Sequence, residues 1–337
     1  MVTANRRVLH RYPVLRRGLA IAALTLLVSA ACSGARPATK ATVSGGNGGS
    51  GTYGYKIAVV THGRVGDAFW TVVKNGAMQA GKDMGDIVTY QSNGEATEQA
   101  KLIDEAVRQK SDGLVISMAD PPALRAAIQR AISAGVDVIT INSGTAESKS
   151  YGALSHIGSD EPVAGRAVGT QLQKLGVKHV LCVLDEPTNI GLMQRCAGIE
   201  ATLGGTVTSL QVSVVPADAT ARLHSALQAH PTIDGVVTLE AHLASLAEAA
   251  ITATKSNAKL VTFDLNSDIA QAVADGRIEF AVDQQPYLEG YLAVVMMTQY
   301  KHNLNVLGGG ETVLTGPNLV TKDKAAQVLN LIHGGTW

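Results

Sequence analysis

Eight side chains stand where this sequence could do chemistry: Asp67, Phe69, Trp70, Asn142, Arg195, Glu240, Asp264 and Gln284. The first three belong to Gly66-Asp67-Ala68-Phe69-Trp70, which follows the apolar run Lys56-Ile57-Ala58-Val59-Val60 and opens a helical pattern. The chain holds only 3 Phe and 2 Trp, so one of each side by side is a deliberate placement. Two adjacent aromatics cannot share one helix face, and at least one should project from the helix start. Such a pair offers flat faces to the C–H groups of a small ring, while Asp67 offers an acceptor to a hydroxyl beside it. The plainer alternative makes the aromatics core at a strand–helix junction and Asp67 only a helix cap.

The other five follow apolar runs in the same way. Asn142-Ser143-Gly144 follows Val136–Ile141, Glu240 follows Val236–Leu239, and Asp264-Leu265-Asn266 follows Leu260–Phe263. Asp283-Gln284-Gln285-Pro286 follows Ile278–Val282, and Arg195 lies a little beyond Asp185-Glu186-Pro187-Thr188-Asn189. Acceptors, amides and a guanidinium can together replace water around a polyhydroxylated molecule. Any one of them could be a cap or a solvated loop residue; six polar groups at successive strand ends argue for a shared site.

Catalytic signatures are missing. No G-x-G-x-x-G follows the first apolar run, and there is no G-x-x-x-x-G-K-[ST], H-E-x-x-H or G-x-S-x-G. Asp67, Glu240 and Asp264 could be imagined as a glycosidase pair, but binding alone accounts for them. The expectation is a protein that is not an enzyme and uses no cofactor and no metal.

The elements that must position these groups alternate. From Tyr55, β-rich runs at 57–60, 87–90, 113–117 and 136–141 are separated by amphipathic helical patterns at 67–82, 96–109 and from Pro121. The rhythm restarts after residue 155, with helical patterns near 161–175, 190–203, 218–229, 242–254, 267–274 and from Pro286. Between them lie the runs 180–184, 207–214, 236–239, 260–263 and 278–282. Strand–helix alternation with nearly continuous apolar strands predicts an α/β fold of two doubly wound parallel-sheet lobes. Ligands of such sheets sit at the carboxyl ends of the strands, here in a cleft between lobes.

Composition narrows the class. Lys+Arg and Asp+Glu each total 28, but residues 1–31 hold five arginines and no acid. The remainder has 23 basic against 28 acidic residues, a net charge of −5, and no basic field to gather nucleic acid. The arginine-rich start and the apolar stretch Gly18–Ala31 read as a signal peptide over 1–31, too short to span a membrane. Cys32 after Ala30-Ala31 resembles a lipoprotein lipidation site; the alternative is plain cleavage. Residues 32–54, rich in Gly and Ser, read as a flexible tether. The body is therefore expected outside the cytoplasm, lipid-anchored to the outer face of the membrane or in the periplasm. In an exported chain, Cys182 and Cys196 read as a disulfide, the alternative being two buried thiols. Closing a loop of about 15 residues would stabilise by roughly 3 kcal/mol and would fix the helix that presents Arg195. Neither cysteine has partners at zinc spacing.

From about 55 to 332 the chain resembles the type I periplasmic sugar-binding proteins of the ribose-binding class. The likeness rests on Ala68-Phe69-Trp70, Val138-Ile139-Thr140-Ile141-Asn142, Ile157-Gly158-Ser159-Asp160 and Arg195-Cys196-Ala197-Gly198. It continues in Val261-Thr262-Phe263-Asp264, Ala274-Asp275-Gly276-Arg277 and Asp283-Gln284-Gln285-Pro286. The resemblance implies a sugar or polyol as ligand, an ABC importer permease as partner, and ligand roles for Asp67, Phe69, Trp70, Arg195, Asp264 and Gln284. It implies lobe one over 55–155 plus 286–316, and lobe two over 156–285 plus 317–332. The three-segment hinge then crosses near 155–158, 284–286 and 316–319. Asn142-Ser143 and Glu240-Ala241 depart from the family's Asp-Arg and Asn-Asp, which implies a site that differs from a ribose site. A second reading is an anchored sensor that hands a small sugar-like or nucleoside signal to a receptor.

Overall fold

The structure, a computed structural model, describes residues 53–337. The signal segment, Cys32 and most of the tether lie outside the described residues. Tyr53 and Gly54, assigned to the tether, already donate backbone hydrogen bonds to the carbonyls of Met84 and Gly85.

The first lobe begins β1 (Lys56–Thr61), α1 (Ala68–Met84), β2 (Ile87–Ser92), α2 (Ala96–Arg108), β3 (Gly113–Ser117) and α3 (Pro121–Ser133). β4 (Asp137–Ile141), the short α4 (Thr145–Ser148) and β5 (His156–Ser159) follow. The second lobe contains α5 (Glu161–Lys174), β6 (His179–Leu184), α6 (Ile190–Leu203), β7 (Thr206–Gln211), α7 (Pro216–Ala229) and β8 (Gly235–Thr238). It continues with α8 (Ala241–Thr254), β9 (Lys259–Phe263), α9 (Ser267–Asp275) and β10 (Phe280–Asp283). The chain then returns to the first lobe as α10 (Pro286–Asn303) and β11 (Val313–Gly316), and ends in the second as β12 (Asn318–Thr321) and α11 (Lys322–Ile332).

The two sheets have the same design. Sheet one runs β11-β5-β4-β3-β1-β2 and sheet two β12-β10-β9-β8-β6-β7. All pairings are parallel except β10 with β12. Strands buried on both faces need apolar residues at every position, which is why they read as continuous runs. In sheet one, Ile57, Val59 and Val115 face α1 and α10, while Ala58, Val60, Leu114 and Ile116 face α2 and α3. Sheet two is covered likewise, by α5 and α6 on one side and by α7, α8, α9 and α11 on the other.

The sequence reading starts lobe two at residue 156, whereas His156–Ser159 pairs with β4 and β11 and belongs to sheet one. The first crossing therefore comes at Asp160, a few residues later. β5 is only four residues long and carries one large apolar side chain, so its pattern is too thin to be read as a strand. Its Gly158 runs so close to Asn142 that an added Cβ would come within 2.9 Å of the Asn142 carbonyl oxygen. β11, β12 and α11 also go beyond the sequence reading.

Helix pairs in each lobe touch backbone to backbone. In lobe one, a Cβ on Gly76 would overlap the Tyr287 carbonyl oxygen, and one on Gly290 the Val73 carbonyl oxygen. In lobe two, a Cβ on Gly165 would overlap the Arg195 carbonyl oxygen. Gly290→Ala should therefore cost about 1–3 kcal/mol of stability through overpacking, measured by chemical denaturation. Unchanged stability would mean that α1 and α10 do not pack this closely.

Candidate ligand-binding cleft

Every predicted site residue sits beyond the carboxyl end of a strand, and the two sheets point those ends at each other. Asp67, Phe69, Trp70, Asn142, Arg195, Glu240, Asp264 and Gln284 all line one cavity of about 310 Å³ between the lobes.

Lobe one supplies the aromatic side. Asp67 caps α1, its Oδ1 accepting from the backbone N–H of Phe69 at 2.9 Å and of Trp70 at 3.4 Å. Its Oδ2 has no hydrogen bond from the described residues. Trp70 packs edge-on against Phe69, with centroids 5.0 Å apart, and against His62 at 4.6 Å. Any Cβ at Gly63 would overlap the Trp70 ring, so the turn after β1 needs glycine to seat it. The core and ligand readings of this pair are thus not exclusive: Trp70 is 7% exposed and joins the lobe-one core, while Phe69 is half-buried, and both face the cavity. Burial pushes the His62 pKa down, and its Nδ1 lies 2.7 Å from Ser117 Oγ.

Asn142 and Asp264 occupy equivalent places, after β4 and β9. Both take left-handed backbone, φ 65° and 64°, and both donate their N–H to the next strand of their sheet, at Ile157 and Val282. Non-glycine residues rarely hold that conformation, and Asn and Asp tolerate it best. The matched backbone turns both side chains, Asn142 and Asp264, toward the cavity that they line.

Arg195 is 2% exposed and heavily engaged. Its Nε and Nη2 donate to the two Glu161 carboxylate oxygens at 2.5 and 3.0 Å. Nη1 donates to the Leu239 carbonyl at 3.2 Å and Nη2 to Gln284 Oε1 at 2.6 Å. The guanidinium also lies 4.5 Å from the Phe263 ring centroid. Of five N–H groups, four are used and one on Nη1 remains for a ligand. This narrows the ligand role expected of Arg195 to a single donor. Burial opposes the charge, but the Glu161 carboxylate more than offsets it and raises the Arg195 pKa. Gln284 completes the set, accepting from Asn142 Nδ2 at 3.3 Å and donating from Nε2 to Asp264 Oδ1 at 2.5 Å. Burial pushes Asp264 up to about 7, with Arg195 pulling the other way.

Glu240 Oε2 lies 3.2 Å from His242 Nδ1, and His242 Nε2 lies 3.2 Å from Asp185 Oδ2. Burial raises the Glu240 pKa. Partial burial opposes the charge on His242, but the two flanking carboxylates raise its pKa. The ligand atoms of Asp185, Glu240 and His242 lie within 4.8 Å of one another, a spacing that could suit a cation, but His242 itself supplies the positive charge there.

Contacts also bridge the mouth of the cleft. Arg64 of lobe one pairs with Glu186 at 2.9 Å and with Asp185 at 3.5 Å. Ser143 Oγ donates to Asn189 Oδ1 at 3.1 Å, and the Ile190 N–H donates to the Ala119 carbonyl at 3.0 Å. Beyond this bridge a wider chamber of about 770 Å³ shares His62, Arg64, Asn189 and Val214 with the first.

Three charged residues at or behind the cleft escape the sequence reading. Arg64 carries no local signal. Glu161 begins α5 after the cap Asp160 and reads as a first-turn acid placed for the helix dipole. Glu289, in the first turn of α10, reads the same way, yet it is fully buried and its carboxylate oxygens have no hydrogen-bond partner among the described residues. Cys182 of β6 and Cys196 of α6 form a disulfide, with Cα atoms 6.0 Å apart, which ties the Arg195 helix to its sheet.

Residues 57–303 match the periplasmic binding protein domain family. The chain is 39% identical to a carbohydrate transporter from Acidothermus cellulolyticus 11B, whose crystal structure is in complex with myo-inositol. That match has a TM-score of 0.82 and covers 84% of this chain and all of the other. The ribose import binding protein RbsB of Bacillus subtilis is 24% identical over 85% of this chain and 93% of its own length. The xylose/arabinose-binding protein XylF of Sulfolobus acidocaldarius is 23% identical over 63% of this chain, which spans only 57% of that relative's length. These relatives are solute-binding proteins and not enzymes.

Burial raises the Glu289 pKa well above the ordinary carboxyl range, and Glu161 and Asp264 add to it. A group raised on folding favours the fold below its unfolded pKa and loses that contribution as pH rises toward the folded value. Glu289→Gln should therefore unfold at nearly the wild-type temperature at about pH 5 and at a clearly higher one at about pH 8. Calorimetric unfolding at both values checks this; an equal difference at both would count against a buried, ionisable Glu289.

Proposed function

We propose a role and a ligand class from one premise: the chain belongs to the periplasmic binding protein domain family. It is the extracytoplasmic solute-binding component of an ABC importer and takes a monosaccharide or cyclic polyol, with myo-inositol the first candidate. The observation that carries this reading is the interlobe cavity onto which both sheets direct acceptors, amides and an aromatic pair. The 39% identity to the myo-inositol complex supports the choice of ligand. Asn142 and Glu240, where ribose binders carry other residues, support a polyol over ribose.

The mechanism is hinge closure, a motion for which periplasmic binding proteins are a standing example. Trp70 and Phe69 take the C–H face of the ring. Asp67, Glu240 and Asp264 accept its hydroxyls, and the spare Nη1 hydrogen of Arg195 donates to one oxygen. A ligand touching both lobes favours the closed form, and that form is what the permease recognises. Cys32 is the proposed lipid anchor that keeps the body at the membrane.

Myo-inositol should raise the unfolding temperature, with about 2.7 kcal/mol of stabilisation at a hundredfold excess over its Kd. Asp264→Asn should weaken binding about 10- to 100-fold with unchanged circular dichroism. Because Asp264 titrates at about 7, polyol affinity should fall as pH drops through neutrality and its carboxylate is lost. A thermal-shift and titration series over pentoses, hexoses and cyclitols tests this; no response from any of them would contradict the reading.

A further inference from the structure

We propose that this same cavity prefers an amine-bearing cyclic polyol, an aminocyclitol or amino sugar, over its neutral parent, and excludes anionic sugars. The inference rests on the polyol reading and refines its ligand class. It starts from where the positive charges are already matched. The Arg195 guanidinium is held bidentate by Glu161, Arg64 pairs with Glu186 and Asp185, and His242 sits between Asp185 and Glu240. Burial also keeps His62 neutral.

What remains on the cavity wall is acceptor. Asp67 Oδ2, Asp264 Oδ2 and Glu240 Oε1 receive no hydrogen bond from the described residues. Against them stand one spare N–H of Arg195, whose other four are engaged, and one uncharged amide N–H each from Asn142 and Gln284. A neutral polyol can donate hydroxyls to such a wall. An ammonium does it better, bringing three donors and a compact charge to carboxylates held in a partly dry site. Phe69 and Trp70 add aromatic faces that attract a cation. A phosphate or carboxylate would bring a further negative charge to these three oxygens, with only the shared His242 and the Glu161-bound Arg195 to offset it.

The raised pKa of Asp264 supplies a second signature. A neutral ligand leaves its proton equilibrium largely in place, whereas an ammonium favours the ionised form and expels a proton.

The test is calorimetric titration of the full chain with myo-inositol, an amino-deoxy-myo-inositol and a myo-inositol monophosphate, in buffers of differing ionisation enthalpy. The amine should bind about tenfold tighter than the neutral parent, since charge-assisted hydrogen bonds are about twice as strong as neutral ones. Its advantage should shrink in high salt, and its binding should release protons. The phosphate should give no heat. Binding of the neutral polyol with a weaker or absent amine, or equal affinity for the phosphate, would overturn this inference and leave the polyol reading standing. Failure of all three ligands would overturn both.

Discussion

The structure is organised around one buried ion pair. Arg195 and Glu161 are each 2% exposed, and they join the first helix of lobe two to the helix fastened by the disulfide. Two ions cost several kcal/mol to desolvate, and their attraction recovers that only when the remaining donors are also satisfied. Leu239 and Gln284 satisfy them. Gln284 stands at the second crossing between lobes and also holds Asn142 from lobe one and Asp264 from lobe two. A charge pair needed for packing is thereby tied to residues that line the cleft. Removing the arginine would strand Glu161 and cost about 3–5 kcal/mol, so its roles in stability and in binding cannot be separated by deletion.

The lobes repeat one solution. Each sheet reverses strand order between its first and third strands, and loops at those carboxyl ends face the opposite lobe. Asn142 and Asp264, matched in place and backbone conformation, aim one side chain from each lobe at the same Gln284. Glycine contacts between α1 and α10 and between α5 and α6 make each lobe stiff beside the crossings. Lobes packed this closely leave the three connecting segments as the place for the proposed hinge closure.

Much of this was legible in the residues. Strands buried on both faces announce themselves as apolar runs, and groups at their ends are where α/β sheets hold ligands, so all eight candidate residues could be named without coordinates. Burial and partnership could not be read. Glu161 and Glu289 look like ordinary first-turn acids, because an N-terminal carboxylate has a local explanation whether it faces water or a buried guanidinium. Arg64 pairs across the cleft with residues more than a hundred positions away, and β5 is too short to carry a period. The engagement of four Arg195 N–H groups by three partners is likewise a property of the folded chain, and it leaves this candidate ligand residue one donor to offer.

A crystal structure of the protein grown with myo-inositol should show one ring against Phe69 and Trp70, its hydroxyls within hydrogen-bond distance of Asp67, Glu240 and Asp264, and one contact from Arg195 Nη1. A ring bound elsewhere, or no ring between the lobes at saturating concentration, would contradict this binding mode.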